Sequence, residues 1–204
     1  MEVPGSREGC RVNPGDRGIR SFVAVPLDSQ LSGLIASSAG ALRESGADVK
    51  WVEARNLHFT LKFLGEIPEP RISAAKRGIE RALNGRSSFG ISLKGIGVFP
   101  SSDSPRVVWI GVSDGAETLV DLAGAVESEM EREGFARDRR GFTPHLTLGR
   151  VRGSRGLGAL KAAVEHLRDA DFGAMRVDSV FLMMSRLSPG GPTYTAIDKW
   201  SLGH

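Results

Sequence analysis

An α+β fold is predicted for this chain of 204 residues, with two antiparallel sheets facing a central cleft and helices outside. Three observations lead there. Several strand-like runs follow one another directly, without the strict strand–helix alternation of a doubly wound parallel sheet. A tetrad of alternating polar and apolar residues occurs twice, once in each half of the chain, which suggests two lobes turned toward each other. The composition, 40% hydrophobic and 25% charged, supports a sizeable apolar core and rules out wholesale disorder.

The elements fall in order. Residues 1–18 are rich in Gly, Pro and charge and read as a flexible N-terminal tail without the apolar core of a secretory signal; residues 19–204 read as a single bilobal domain. Ser21–Val25, closed by Pro26, reads as a buried strand. Asp28 or Ser29 can cap a helix carrying Leu31, Leu34, Ile35 and Leu42 on one face. Residues 49–53 and 57–64 read as strands about a turn at Ala54-Arg55-Asn56. Pro68 and Pro70 precede a helix to about Leu83, striped by Ile72, Ala75, Ile79, Ala82 and Leu83. Residues 89–98 and 107–112 form a strand pair around a Pro- and Ser-rich loop. A helix over 117–133 buries Leu119, Leu122, Ala123, Val126 and Met130, and Gly134 ends it. Residues 143–151 form a strand, 157–167 a helix, and 175–184 and 194–200 two strands joined through Ser188-Pro189-Gly190-Gly191-Pro192.

The repeated tetrad is His58-Phe59-Thr60-Leu61 and His145-Leu146-Thr147-Leu148, 87 residues apart. Side chains alternate along a strand, so His58 and Thr60 share one face while Phe59 and Leu61 take the other; His145 and Thr147 do likewise. Two imidazoles can divide acid and base work near neutral pH. Two threonine hydroxyls beside them can hold the nonbridging oxygens of a phosphate without adding charge. An activated phosphodiester, such as a five-membered cyclic phosphate on a ribose, can be opened by such a face without a metal or other cofactor. A metal site is the competing reading of paired histidines, but a third ligand is wanting: His166 falls in a helix, His204 is terminal, the lone cysteine Cys10 is in the tail, and nothing singles out Asp138.

At these residues the chain resembles the two-histidine (HxTx) phosphoesterases, in particular the RNA 2',3'-cyclic phosphodiesterases, also called 2'-5' RNA ligases. The likeness runs through Arg20–Pro26, Val49-Lys50-Trp51-Val52, Asn56-Leu57 into His58–Gly65, Gly97–Pro100, Arg106–Trp109, Thr143–Arg150 and Gly190–Tyr194, covering residues 20 to 200. It implies a bilobal fold with both motifs on a central cleft, and hydrolysis of a terminal RNA 2',3'-cyclic phosphate to a 2'-phosphate. His58 is then similar to the proton donor to the 3'-oxygen and His145 to the acceptor that activates water, while Thr60 and Thr147 bind the phosphate. Joining the cyclic phosphate to a 5'-hydroxyl through a 2'-5' bond would be a second activity. A module that binds nucleotide or RNA ends without turnover, and a phosphodiesterase for another cyclic or 2'-5' linkage, remain alternatives.

Further candidates are less sharply marked. Lys62 continues the His58 face and either reaches the substrate or sits at the rim. Arg150 can meet a phosphate bidentately, but strict alternation puts it opposite His145 unless the strand ends or bulges. Tyr194, the only tyrosine, and Ser185 can line the cleft; Phe22 either stacks a base or joins the core. The chain carries 27 Lys and Arg against 24 Asp and Glu. Seven of its arginines crowd residues 132–155, around His145, as an RNA-backbone contact or a solvated face. The expected partner is RNA ending in a 2',3'-cyclic phosphate or a small cyclic nucleotide, acted on by a cytoplasmic monomer with no membrane association.

Overall fold

The computed structural model describes residues 18–189 and 191–203; residues 1–17, Gly190 and His204, and with them the expectations for the tail, Cys10 and the terminal histidine, lie outside the described residues. Nine strands and five helices occur among the described residues: β1 (Ile19–Pro26), α1 (Ser29–Ser38), α2 (Gly40–Glu44), β2 (Val49–Trp51), β3 (His58–Ile67), α3 (Arg71–Leu83), β4 (Phe89–Phe99), β5 (Val107–Val112), α4 (Ala116–Arg132), β6 (His145–Val151), α5 (Leu157–His166), β7 (Asp171–Val177), β8 (Ser179–Ser188) and β9 (Gly191–Ser201). They form a four-stranded sheet in the order β3-β1-β8-β9 and a five-stranded sheet in the order β2-β6-β5-β4-β7, with every pairing of named strands antiparallel.

The two halves are interleaved rather than laid end to end. Helix α1 follows β1 of the four-stranded sheet yet packs against β7 of the other, and α4 precedes β6 yet packs on β3 and α3. One apolar cluster therefore runs from Val23, Phe59 and Leu182 of the first sheet through Val108, Leu146 and Leu93 of the second. Arg81 ties α3 to Glu129 of α4 and to Glu133, which caps that helix, at 2.8 and 2.6 Å. No described helix is long and apolar enough to cross a membrane.

Three expectations change. The first helix breaks at Ala39, giving α1 capped by Asp28, whose carboxylate accepts from Leu31 N at 2.7 Å, and the short α2. Leu34 then lies on the open side, 61% exposed, instead of on the buried stripe. The strand read over 175–184 is two strands, β7 and β8, in different sheets. The chain crosses between them at Asp178, whose carbonyl accepts from Leu202 N and whose side chain holds the Ser179 hydroxyl. That crossing carries neither Gly nor Pro, and Val177 and Val180 are both fully buried, so the apolar run is unbroken while the fold turns.

Candidate active site

Each tetrad lies on a bulged strand, and the bulges correspond. In β3, Thr60 stands opposite Ala24 and Lys62 opposite Val23, leaving Leu61 as the extra residue. In β6, Thr147 stands opposite Trp109 and Gly149 opposite Val108, leaving Leu148 extra. A bulge shifts the alternation by one residue. Both strands accordingly show the same order of burial: histidine and threonine half-buried, the residue after each buried, then a second buried residue and an exposed one.

This shared irregularity corrects the reading of Lys62. Regular alternation would carry it along the His58 face; the bulge turns it into the protein, where its side chain is 2% exposed. Its ammonium donates to Glu127 Oε1 at 2.6 Å and to the Ala136 carbonyl at 2.8 Å. Lys62 is a buried brace and is withdrawn from the substrate-binding set. The bulge has the opposite effect on Arg150, which stands opposite Val107, two residues from Trp109 on β5, and so joins the Thr147 face. Phe63 takes the corresponding place on β3, 57% exposed and packed against Phe22 at 5.9 Å between centroids. Sequence reasoning missed Phe63.

The histidines are oriented alike. His58 Nδ1 lies 2.7 Å from the carbonyl of Asn56, and His145 Nδ1 lies 2.7 Å from that of Thr143. A carbonyl only accepts, so each Nδ1 carries the proton. Each Nε2 is left for a substrate, as a lone pair in the neutral ring and as a donor in the charged one. Asn56, also missed, is buried, and its side-chain amide donates to the Pro192 carbonyl at 3.2 Å, pinning the turn before His58 to the β8–β9 hairpin.

Aromatic rings wall both histidines. The His58 ring lies 4.9 Å from Phe22 and 5.1 Å from Tyr194. The His145 ring meets Phe99 edge-on at 5.2 Å, and Phe99 stacks on Trp109 at 4.9 Å. That stack needs glycine at 97, where a Cβ would come within 2.2 Å of the Trp109 ring. Phe22 is only 2% exposed, so it supports His58 and Tyr194 from beneath and has no free face for a base. Ser185 is buried opposite Tyr194.

The two sheets meet electrostatically at this place. Tyr194, from the four-stranded sheet, feels the positive charges of Arg150 and Arg20, yet burial outweighs them and keeps its hydroxyl protonated to higher pH than usual. Burial likewise pushes the His58 imidazole below its ordinary value of 6.5, against the smaller opposing effect of the Asn56 carbonyl. The unfolded chain binds this proton at the ordinary value. The resulting contribution to stability is therefore whole above pH 6.5 and is lost as pH falls through the lowered native value. The His58 ring resonances of the free protein are expected to titrate with a midpoint below 6.5 by NMR; a midpoint at or above 6.5 would contradict the burial argument.

Three of the seven arginines of the 132–155 stretch are offset by carboxylates. Arg132 pairs with Glu129, Arg137 with Glu131 and Arg140 with Asp138, and the last pairing holds the Asp138 carboxyl down at about 2. Among the described residues, no group of three His, Cys, Asp or Glu side chains converges as a metal site.

Two oriented histidines, each with a threonine on its face, on matching strands of two sheets define a two-histidine phosphoesterase. A model of the 2'-5' RNA ligase superfamily matches residues 33–187, and the chain belongs to that family. It is 40% identical to the RNA 2',3'-cyclic phosphodiesterase of Methanothermobacter thermautotrophicus over 184 residues, 90% of this chain and 99% of that protein. It is 38% identical to the Aeropyrum pernix protein of the same name, over 81% of this chain and 93% of the relative. Among solved structures it is similar to TT0787 of Thermus thermophilus, with a TM-score of 0.75 at 28% identity, covering 90% of this chain and 98% of that one. The similarity to E. coli LigT complexed with NADP+ has a TM-score of 0.71 at 28% identity, over 92% and 99%. These similarities agree with the α+β class, the facing sheets and the family read from the two tetrads.

Proposed function

We propose that the protein hydrolyses a terminal RNA 2',3'-cyclic phosphate to a 2'-phosphate by two-histidine acid–base catalysis. The observation that carries this reading is the pair of matching bulged strands, each presenting Nε2 of an oriented histidine beside a threonine hydroxyl. Relatives named RNA 2',3'-cyclic phosphodiesterase, 32–40% identical over most of the chain, support the substrate class. The E. coli LigT structures with 3'-AMP and with phosphate agree with it for a neighbour of the same fold.

In the reaction a water oxygen attacks phosphorus while the bond to the 3'-oxygen breaks. His145 Nε2 takes the proton from water, and His58 Nε2 gives one to the departing oxygen, leaving a 3'-hydroxyl and a 2'-phosphate. Thr60 and Thr147 donate to the nonbridging oxygens, whose negative charge grows in the transition state. Arg150 adds a positive charge on the same face as Thr147, and Tyr194, with its proton retained, is a neutral donor against His58. Phe63, the most exposed of the cleft aromatics at 57%, and the half-buried Tyr194 can receive a nucleobase.

The test is incubation of an RNA oligomer ending in 2',3'-cyclic phosphate, with chelator present throughout. The expected product ends in a 2'-phosphate, resistant to enzymes that require a 3'-phosphate. A 3'-phosphate product would overturn the assignment of the leaving oxygen, and turnover abolished by chelator would overturn the two-histidine mechanism.

A further inference from the structure

Lys50 is the middle residue of the short edge strand β2 and stands directly opposite Arg150 of β6. Facing residues of an antiparallel pair share a side of the sheet, so Lys50 lies on the face that carries His145, Thr147 and Arg150. Trp51, its neighbour, turns the other way and packs against the core. The hairpin of the four-stranded sheet closes over this spot: a Cβ at Gly191 would lie 3.6 Å from the Lys50 ammonium. Lys50 thus bridges the rims of the two sheets at one end of the cleft.

Among the described strand pairings, only Lys50 and Arg150 set two like charges directly opposite each other. Like charges directly opposite on paired strands repel and destabilise the pairing. Arg132, Arg137 and Arg140 are each offset by a carboxylate. Among the described residues, neither Lys50 nor Arg150 has a carboxylate within ion-pair distance, although Lys76, Lys161 and Arg168 elsewhere do. An uncompensated cation pair at a cleft rim fits an anion supplied by the substrate. Along β6 the face runs His145, Thr147, Arg150, with about 7 Å between successive same-face positions of a strand. Lys50 therefore sits beyond the reacting phosphate, on the side away from His145.

We propose that Lys50 forms a second phosphate subsite, which receives the phosphodiester joining the terminal nucleotide to the rest of the RNA strand. The assignment rests on the cyclic phosphodiesterase reading and extends it, because a mononucleoside cyclic phosphate has nothing to place there. Lys50 then selects polynucleotide ends over free cyclic nucleotides. The ammonium of a lysine suits this task, since it meets phosphate as a point charge without demanding one orientation.

The experiment pairs a protein change with a substrate change. Wild type and Lys50→Met are compared on a dinucleotide ending in 2',3'-cyclic phosphate, with either a natural phosphodiester or an uncharged methylphosphonate between the two nucleosides. Wild type is expected to lose about tenfold in kcat/KM with the methylphosphonate, the scale of one hydrogen bond to a charged group, whereas Lys50→Met treats the two substrates alike. Lys50→Arg is expected to restore discrimination. On a longer oligomer, the slope of log affinity against log salt should fall by about 0.7 in Lys50→Met, one single-strand phosphate contact. Equal loss on both substrates in the variant, or indifference of the wild type to the linkage, would overturn the subsite. If the wild type turns over neither substrate, the hydrolase reading fails instead. The salt slope for binding an oligomer that already ends in 2'-phosphate then decides on Lys50 by itself.

Discussion

His145→Ala is expected to lower kcat on an RNA 2',3'-cyclic phosphate by about 10²- to 10⁴-fold, and His58→Ala by a comparable factor, the range for removing a positioned proton carrier. KM should change little, because Thr60, Thr147 and the cleft cations remain to hold the phosphate. The double variant should be far less impaired than the product of the two single losses, since the two rings act in one step. A loss below about tenfold for either variant would remove that ring from the proton transfers. The pH profiles separate the roles. Burial depresses His58 in the free protein, so a donor at this position must recover its proton as the anionic phosphate arrives. The kcat/KM profile, which reports the free enzyme, should then have its alkaline limb below pH 6.5. The kcat profile should extend further, because the bound anion favours the charged ring. In His58→Ala the alkaline limb should vanish. Loss of the acid limb instead would exchange the two roles, with His58 taking the proton from water.

Much of this site was legible because its signal is periodic and repeated. His58 and Thr60, like His145 and Thr147, share a face on strand periodicity alone, and the doubling pointed to two facing sheets. Legibility ended at residue 61. Leu61 and Leu148 look like ordinary alternating strand residues, and a bulge is a property of two strands in register; β3 alone does not announce that β1 will skip a partner there. Past that point strict alternation fails. Lys62 went from the cleft to the interior, the exposed Phe63 went unread, and Arg150 reached the Thr147 face through the bulge that its reading required. The Nδ1 anchors were closer to hand, because each histidine bonds the carbonyl two residues before it. Their partners are backbone atoms of Asn56 and Thr143, however, which side-chain patterns do not reveal. The division of 175–184 was hidden for a different reason: both sheets bury apolar residues against one core, so the sequence stays apolar through the crossing at Asp178.

Lys62→Met should destabilise the protein by about 3 kcal/mol, the lower end for breaking a buried ion pair, and lower Tm by roughly 6–12 °C for a chain of this size. The variant leaves the Glu127 carboxylate, 18% exposed, without its counter-ion, and leaves the Ala136 carbonyl without its donor. Removing both charges, in Lys62→Met combined with Glu127→Leu, should recover a large part of the loss, because an apolar pair no longer carries a desolvated charge. Recovery should be incomplete, since Glu127 Oε1 also accepts the backbone N–H of Asp138 at 3.0 Å. That bond matters beyond stability. It fastens the segment leading toward His145 back onto α4, and the Lys62 ammonium on the Ala136 carbonyl ties the same segment to β3, four residues from His58. Denaturant unfolding of the two variants separates these contributions. A loss under about 1 kcal/mol in Lys62→Met would show that water screens the pair and that the brace is weak. A large loss fully recovered by the double change would assign the whole effect to the stranded charge and none to the Asp138 bond.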